Sequence, residues 1–117
     1  MKEIRNNAIK AAKILDEKKG LDVCLYDVQG KIPYTDYLII TTGMSERHVG
    51  ALSNNLRKEL SKANIKVKHS EGNSESGWLL LDYIDFVVHI FSKEKREFYN
   101  IDRFCEESSK IDIDNKN

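Results

Sequence analysis

Residues 35–52, TDYLIITTGMSERHVGAL, constrain the fold of this chain most strongly. Residues 36–41 are nearly continuously apolar, which predicts a strand buried on both faces near the centre of a sheet. Ser45 is a favourable N-cap and Glu46 adds a negative charge to the first turn, so a helix to about Ala63 is predicted next. Its buried stripe is predicted to be Val49, Leu52, Leu56 and Leu60. A buried strand that leads directly into an amphipathic helix is typical of an α/β domain.

The segments around this stretch predict further helices and strands. Residues 3–18 show helical spacing of apolar side chains, and Gly20 can end that helix. Residues 23–28 predict a strand, after which the sequence QGKIP supplies turn residues. Residues 65–69 alternate apolar side chains with lysines and predict a short, half-exposed strand, followed by the loop EGNSESG. The hydrophobic run WLLLDYIDFVVHIF predicts two strands, 78–83 and 86–91, joined by a tight hairpin.

The end of the chain predicts one more helix and a tail. Ser92 is predicted to cap a helix over residues 93–107. Its apolar side is predicted to contain Phe98, Ile101 and Phe104. Residues 108–117 lack bulk and aromatic side chains and predict a frayed, disordered tail.

The predicted order of elements is therefore α-β-β-α-β-β-β-α. It predicts a single α/β domain over residues 1–107, with helices packed on a mixed β-sheet of about five strands. The order of the strands in that sheet does not follow from the sequence.

Composition excludes several classes of protein. The chain has 19 Lys and Arg against 19 Asp and Glu, so it does not bind nucleic acid through bulk positive charge. Cys24 and Cys105 lack metal-ligand or redox-motif spacing. The N-terminus has no secretory apolar core and no run reaches membrane-spanning length, which indicates a cytoplasmic protein without membrane contact.

The corner TTGMS, residues 41–45, has two interpretations. It is similar to the glycine-serine corner of nucleotidyltransferases, where a helix N-terminus holds a nucleotide phosphate. Such an enzyme also needs converging carboxylates for Mg²⁺, and only Asp36, Asp82 and Asp85 are candidates here. We favour a capped helix start that uses the backbone freedom of Gly43.

Two histidines are also candidates for chemistry. His48 follows Ser45 at the spacing of a capping box, which favours a local role at the helix start. His89 lies inside a predicted strand, where a partly buried, hydrogen-bonded ring is commoner than a ligand. We therefore expect no catalytic residue, metal site or cofactor.

Three segments together resemble a known family. They are DVQGKIPYTDYLIITTGMSERHVGAL, EGNSESGWLLLDYIDFVVHIF and REFYNIDRF, and they resemble the RsfS family of ribosomal silencing factors, also called Iojap or DUF143. The resemblance spans roughly residues 4–105. The chain departs from the family at three positions: Ile84 replaces the usual hairpin Gly, Phe104 replaces a frequent Trp, and His48 replaces a common Gln.

The resemblance implies a non-enzymatic protein with a nucleotidyltransferase-like fold that lacks the catalytic carboxylates. Family members bind the large ribosomal subunit through large-subunit ribosomal protein fourteen and block association with the small subunit, which represses translation when nutrients are short. Organellar relatives take part in large-subunit assembly. A homodimer of the free protein and no small-molecule substrate are also implied.

If the chain binds a protein partner, aromatic residues and arginines are expected to contribute most to the contact. Trp78, Leu80 and Asp82 should share one strand face, and Leu79, Leu81 and Tyr83 the other, with one set facing a partner. Trp78 is the leading candidate, with a core position as the alternative. The further candidates, for which an intramolecular bond is the alternative, are Tyr37, Tyr83, Arg47, Arg96 and Tyr99. Lys66 and Lys68 are expected to guard an edge strand or to contact ribosomal RNA.

Overall fold

The computed structural model describes residues 2–113, which form one α/β domain with four helices and six strands in that range. The elements are α1 (Lys2–Glu17), β1 (Leu21–Asp27), β2 (Tyr37–Gly43), α2 (Glu46–Lys62), β3 (His69–Asn73), β4 (Trp78–Asp82), β5 (Phe86–Ser92), α3 (Lys93–Tyr99), α4 (Ile101–Phe104) and β6 (Ser109–Ile111).

The six strands form one mixed sheet in the order β3-β4-β5-β2-β1-β6. β2 and β5 are parallel, and every other neighbouring pair is antiparallel. All residues of β2 are buried, as its continuous apolar run predicts. The predicted fold class, a mixed α/β sheet with packed helices, is confirmed.

The two faces of the sheet are covered unequally. α1 and α2 pack on one face, where the predicted stripe Val49, Leu52, Leu56 and Leu60 is buried against strand side chains that include Leu81 and Ile90. On the opposite face, Cys105 and Ile101 of the C-terminal segment and Val28 and Ile32 of the loop after β1 cover side chains of β1, β2 and β5. We call α1 and α2 together the helix layer.

The prediction of a strand at residues 65–69 is wrong in position. The edge strand is His69–Asn73, which pairs with β4 from His69 opposite Asp82 to Asn73 opposite Trp78. Ile65 and Val67 instead pack, half-buried, against the core under the helix layer. Their alternation with lysines therefore reflects packing of a loop and not pairing of a strand. The predicted loop is shortened to the residues between β3 and β4.

The last helix differs from its prediction. Ser92 caps α3 as expected, but Asn100 adopts a left-handed conformation at φ 48° and ends that helix, and α4 follows as one short turn. Phe98 is 74% exposed and Phe104 is 58% exposed, so they do not form a buried side. The buried residue of α3 is Arg96.

The prediction of a frayed tail from residue 108 is wrong for its first part. Ser109–Ile111 form β6, which pairs antiparallel with β1 from Leu25 to Asp27. Ile113 is buried in the same core as the helix layer. A strand of only three residues forms here because β1 would otherwise have an unpaired edge. Ile111 and Ile113 add apolar contacts with the core. Residues 114–117 of the predicted tail lie outside the described residues.

The β4–β5 hairpin forms where it is predicted, but its turn is strained. Ile84 has φ 73° and is the centre of a three-residue turn in which the Asp85 N–H donates to the Tyr83 carbonyl at 2.8 Å. A β-branched residue is strongly disfavoured at positive φ, and Ile84 is 53% exposed, so little packing compensates.

We expect Ile84→Gly to raise the free energy of unfolding by about 1 kcal/mol, since glycine adopts this φ without steric cost. Urea denaturation measures the change. Ile84→Asn should give part of the gain because Asn tolerates the left-handed region. A loss of stability in the glycine variant would show that the side chain contributes more than the strain costs.

Candidate functional site

One region of the sheet is left without a helix. Trp78, Leu80 and Asp82 alternate along β4 on the face opposite the helix layer, and all three are half-buried. Leu80, the middle one of the three, lies opposite Glu71 of β3 and His89 of β5 on this face. We call these five residues the open face. Leu79, Leu81 and Tyr83 point to the helix layer, so the predicted division of β4 into two sets is confirmed.

Aromatic rings continue the open face toward α3. The ring of Trp78 stacks on His89 at 6.4 Å between centroids, and His89 stacks on Phe91 at 5.6 Å. Phe91 then contacts Tyr99 at 5.9 Å, and Phe98 meets Tyr99 edge to face at 5.1 Å. The row ends in two exposed rings, which is the kind of apolar surface that partners use as anchors.

His89 fixes the position of the tryptophan. The Trp78 indole N–H donates a hydrogen bond to His89 Nδ1 at 3.1 Å, which requires a neutral imidazole with its proton on Nε2. Burial lowers the pKa of His89 from 6.5 to about 4, so the ring is neutral near pH 7. The predicted hydrogen bond of the ring is confirmed, and the ring is buried more completely than the sequence predicted.

This burial predicts a pH-dependent stability. The unfolded chain binds a proton at His89 below about pH 6.5 and the folded chain only below about 4, so stability is full above 6.5 and is lost as the pH falls toward 4. The contribution is on the order of 3 kcal/mol.

Urea titrations of the wild type and of His89→Gln between pH 7 and 4.5 measure this effect. Glutamine keeps an oxygen acceptor for the indole but does not titrate. We expect a much smaller loss of stability on acidification for the variant. An equal loss in both proteins would assign the effect to other groups.

The predicted partner residues do not all reach the open face. Tyr99 lies beside it and is 52% exposed, but Tyr37 and Tyr83 are buried on the side of the helix layer. Arg47 is exposed in the first turn of α2, also in the helix layer. Arg96 is only 9% exposed. A contact between a partner and these residues stays a prediction, and for Arg96 the intramolecular alternative is the one observed.

Arg96 joins α3 to three other elements. Its guanidinium donates two bonds to the Asp102 carboxylate, at 2.9 and 3.0 Å, and further bonds to the Asp22 carbonyl at 2.9 Å and Thr42 Oγ1 at 3.0 Å. Burial raises the pKa of Asp102, but the bonds and charge of Arg96 outweigh this and hold it below its usual value. The network fixes α3, and thereby Tyr99, against the sheet.

Two features of this surface were not predicted from the sequence: the exposure of Phe98 and the position of His89 beside Trp78. Phe98 fits a helical stripe, and only the break at Asn100 turns it outward. The position of His89 depends on the β4–β5 register, in which Leu80 lies opposite His89. This register could have been worked out from the predicted hairpin, since a two-residue turn determines which residues of the two strands lie opposite each other.

The corner before α2 is closed by its own side chains. The Met44 N–H donates to His48 Nδ1 at 2.9 Å, and the His48 N–H donates to Ser45 Oγ at 3.1 Å. These are donors that a phosphate would need. Gly43 does not use a positive φ, contrary to expectation. A Cβ there would come within 2.8 Å of the Val49 nitrogen, so glycine allows the close approach of α2.

The candidate carboxylates lie at the wrong end of the sheet for nucleotide chemistry. Asp36 and Asp85 meet where β2 begins, with the Asp36 N–H donating to the Asp85 carbonyl at 3.2 Å. Gly43 lies at the other end of β2. From the rise per residue of a strand, it is about 20 Å from Asp36. Asp82 accepts the Ile84 N–H in the hairpin at the same far end. The geometry therefore does not support the nucleotidyltransferase alternative.

A cleft of about 630 Å³ does border the corner. The carboxylates lining it are Asp22, Glu46, Glu97 and Asp102. Of its two cations, Arg96 is already bound to Asp102. Such a lining repels a triphosphate. Over residues 2–113 there is no group of three or more His, Cys, Asp or Glu that could hold a metal ion, and no helix there is long and apolar enough to span a membrane.

Comparison with known proteins identifies relatives over nearly the whole chain. The family model "Ribosomal silencing factor during starvation" matches residues 1–117. The chain is 33% identical to the ribosomal silencing factor RsfS of Bacillus subtilis over 89% of its own length and 88% of that protein. A crystal structure of a Chromobacterium violaceum protein, 32% identical, superposes with a TM-score of 0.79 over 91% of this chain and 86% of that one.

Organellar proteins are similar too, although the chain matches less than half of their length. It is 33% identical to the chloroplastic protein Iojap of Zea mays over 91% of this chain and 46% of that one. It is 30% identical to the mouse protein named mitochondrial assembly of ribosomal large subunit protein 1, over 77% of this chain and 41% of that one.

Proposed function

The chain belongs to the RsfS family of ribosomal silencing factors, and from this membership we propose that it is a non-enzymatic translation repressor of the cytoplasm. It binds the large ribosomal subunit through large-subunit ribosomal protein fourteen. The bound domain, of 13.5 kDa, occupies space that the small subunit needs, so association of the two subunits is blocked sterically.

The observation that carries the proposal is the open face with its adjoining rings. A helix-free patch with Trp78 and Leu80 at its centre and Tyr99 at its rim has the composition of a protein interface. Asp82 and Glu71 add negative charge to the rim. Proteins that bind ribosomal RNA are rich in Lys and Arg, so this rim is complementary in charge to such a partner.

Crosslinking to purified large subunits, mapped by mass spectrometry, tests the partner and the surface together. We expect Lys95 of α3, which lies over the Phe98 ring at 5.6 Å, to crosslink to ribosomal protein fourteen. Lys13 of α1, on the opposite side of the sheet, is the internal control and should not reach that protein. Crosslinks to ribosomal protein fourteen from Lys13 and none from Lys95 would place the interface elsewhere.

A role in large-subunit assembly is the second candidate function. It is favoured by the similarity to the mouse protein, whose name assigns it to assembly of the mitochondrial large subunit. The same docking surface serves both roles. Depletion of the protein separates them, because assembly failure leaves incomplete large subunits whereas loss of repression leaves them complete.

The free protein is expected to form a weak or moderate homodimer through the open face, since an apolar patch without its partner self-associates. Sedimentation velocity over a range of concentrations measures the equilibrium. Leu80→Lys places a charge in the patch and should shift it to monomer. A wild type that stays monomeric at all concentrations would contradict this prediction.

A further inference from the structure

The zero net charge of the chain conceals a strong separation of charge. Residues 2–19 carry six Lys or Arg and three Asp or Glu. Residues 46–68 carry six Lys or Arg and two Asp or Glu. These two stretches therefore hold 12 of the 19 cations and only five of the 19 anions, a net charge of +7. The remainder of the chain carries the balancing −7.

The fold places the two basic stretches together. They contain α1 and α2, which pack side by side on the sheet as the helix layer. A groove of about 580 Å³ between the two helices is lined by three lysines, Lys10, Lys13 and Lys62, and by two carboxylates, Glu17 and Glu59. In the described part of the chain, Lys10 and Lys13 form no ion pair, while Lys62 has an exposed one with Glu59 at 3.3 Å. The lysines are thus available to an external anion.

We propose that the helix layer is a second binding surface and that its ligand is the phosphate backbone of double-helical RNA. The inference deepens the proposed function, on which the assignment of that RNA to the large subunit rests. The open face would contact protein while the groove on the other side of the sheet contacts RNA. Two surfaces on one rigid domain would hold it at a junction between ribosomal protein and ribosomal RNA.

The surface favours a nucleic acid backbone over an anionic membrane or an acidic protein. Binding to an anionic membrane by a helix requires exposed apolar side chains that insert, and the exposed large apolar residues of the described chain all lie outside α1 and α2. An acidic protein would need aromatic anchors, which are absent from the exposed side chains of these helices for the same reason. Closely spaced phosphates need mainly an excess of cations, which the two basic stretches provide through their net charge of +7.

Fluorescence anisotropy with a labelled 16-base-pair RNA duplex tests the proposal on the full chain. The test variant carries Lys10→Glu, Lys13→Glu and Lys62→Glu. The matched control carries the same change of net charge away from the helix layer, at exposed positions: Lys31→Glu, Lys93→Glu and Lys110→Glu. Thermal unfolding confirms that both variants fold.

We expect the helix-layer variant to lose at least about tenfold in affinity near 50 mM salt, and the slope of log K against log salt to fall by about 2 to 3. The control should stay within about threefold of the wild type. Equal losses in both variants, or no binding of the duplex by the wild type, would overturn the proposal. Equally tight, equally variant-sensitive binding to anionic lipid vesicles would overturn the assignment to RNA.

Leu80→Lys separates this proposal from the proposed function. The variant should keep its affinity for the RNA duplex while it loses binding to large subunits. Loss of duplex binding in Leu80→Lys would contradict the assignment of RNA to the helix layer. If Leu80→Lys instead binds large subunits like the wild type, the open face is excluded as the docking surface. If the wild type itself does not bind large subunits, the proposed function fails and the RNA-binding result stands by itself.

Discussion

Replacement of Arg96 with methionine is expected to lower the free energy of unfolding by about 3 to 5 kcal/mol. The buried guanidinium is the shared partner of the Asp102 carboxylate, the Asp22 carbonyl and Thr42 Oγ1. Methionine fills much of the volume but removes the charged partner of the carboxylate, which keeps only the Tyr26 hydroxyl as a side-chain donor, at 3.2 Å. The penalty for that group, and not the lost bonds alone, makes the effect large.

Arg103→Met is the matched control for this experiment. Arg103 lies in α4 on the same short segment but is exposed, and no ion pair of it is found within the described chain. Its replacement should change stability by less than about 0.5 kcal/mol. Arg96→Lys should fall between the two, because lysine keeps the charge and loses the two-pronged contact with Asp102. A loss below 1 kcal/mol in Arg96→Met would contradict the role assigned to this network.

Replacement of Leu80 with lysine is expected to weaken binding to the large subunit by about 2 to 3 kcal/mol, or roughly 30- to 150-fold. Leu80 lies at the centre of the open face, between Glu71 and His89. An ammonium group there must be desolvated in the interface and repels a basic partner. The side chain is only half-buried in the free protein, so lysine can reach solvent and the fold should persist.

Ile84→Lys is the matched control for Leu80→Lys. It makes the same chemical change on the same hairpin, at a residue that lies in the turn and outside the open face. Quantitative pelleting with large subunits measures both variants. We expect the control to bind like the wild type. Equal binding by the two variants would exclude the open face as the docking surface.

Most helices and strands of this fold were predictable from the local sequence pattern, because the formation of each depends mainly on residues close to it in sequence. Ser45 and the stripe from Val49 to Leu60 define α2, and the alternation in β4 correctly separates Trp78 and Leu80 from Leu79 and Leu81. The β4–β5 hairpin also follows from its own residues.

Features that depend on distant residues were not predictable. The edge strand β6 forms because β1 has a free edge, which nothing near Ser109 reveals. Arg96 is buried because Asp22 and Thr42, far away in sequence, offer acceptors. The order of the strands has the same origin, since the parallel pairing of β2 with β5 joins segments separated by the whole of α2, β3 and β4.

The candidate site was predictable in part for the same reason. Trp78, Leu80 and Asp82 share one strand, so the alternation of a strand places them together. Tyr37 and Tyr83 have the residue type of an interface anchor but lie on the covered face. Residue type alone therefore predicts too many partner contacts. Whether a residue can contact a partner depends on the face of the sheet to which its side chain points.

The most direct test of the account is the light scattering of purified small and large subunits as they reassociate in the presence of the protein. If the domain acts by occupying the joining surface, saturating wild type lowers the scattering and Leu80→Lys at the same concentration does not. Full reassociation with the wild type, or inhibition by Leu80→Lys equal to that by the wild type, would contradict it.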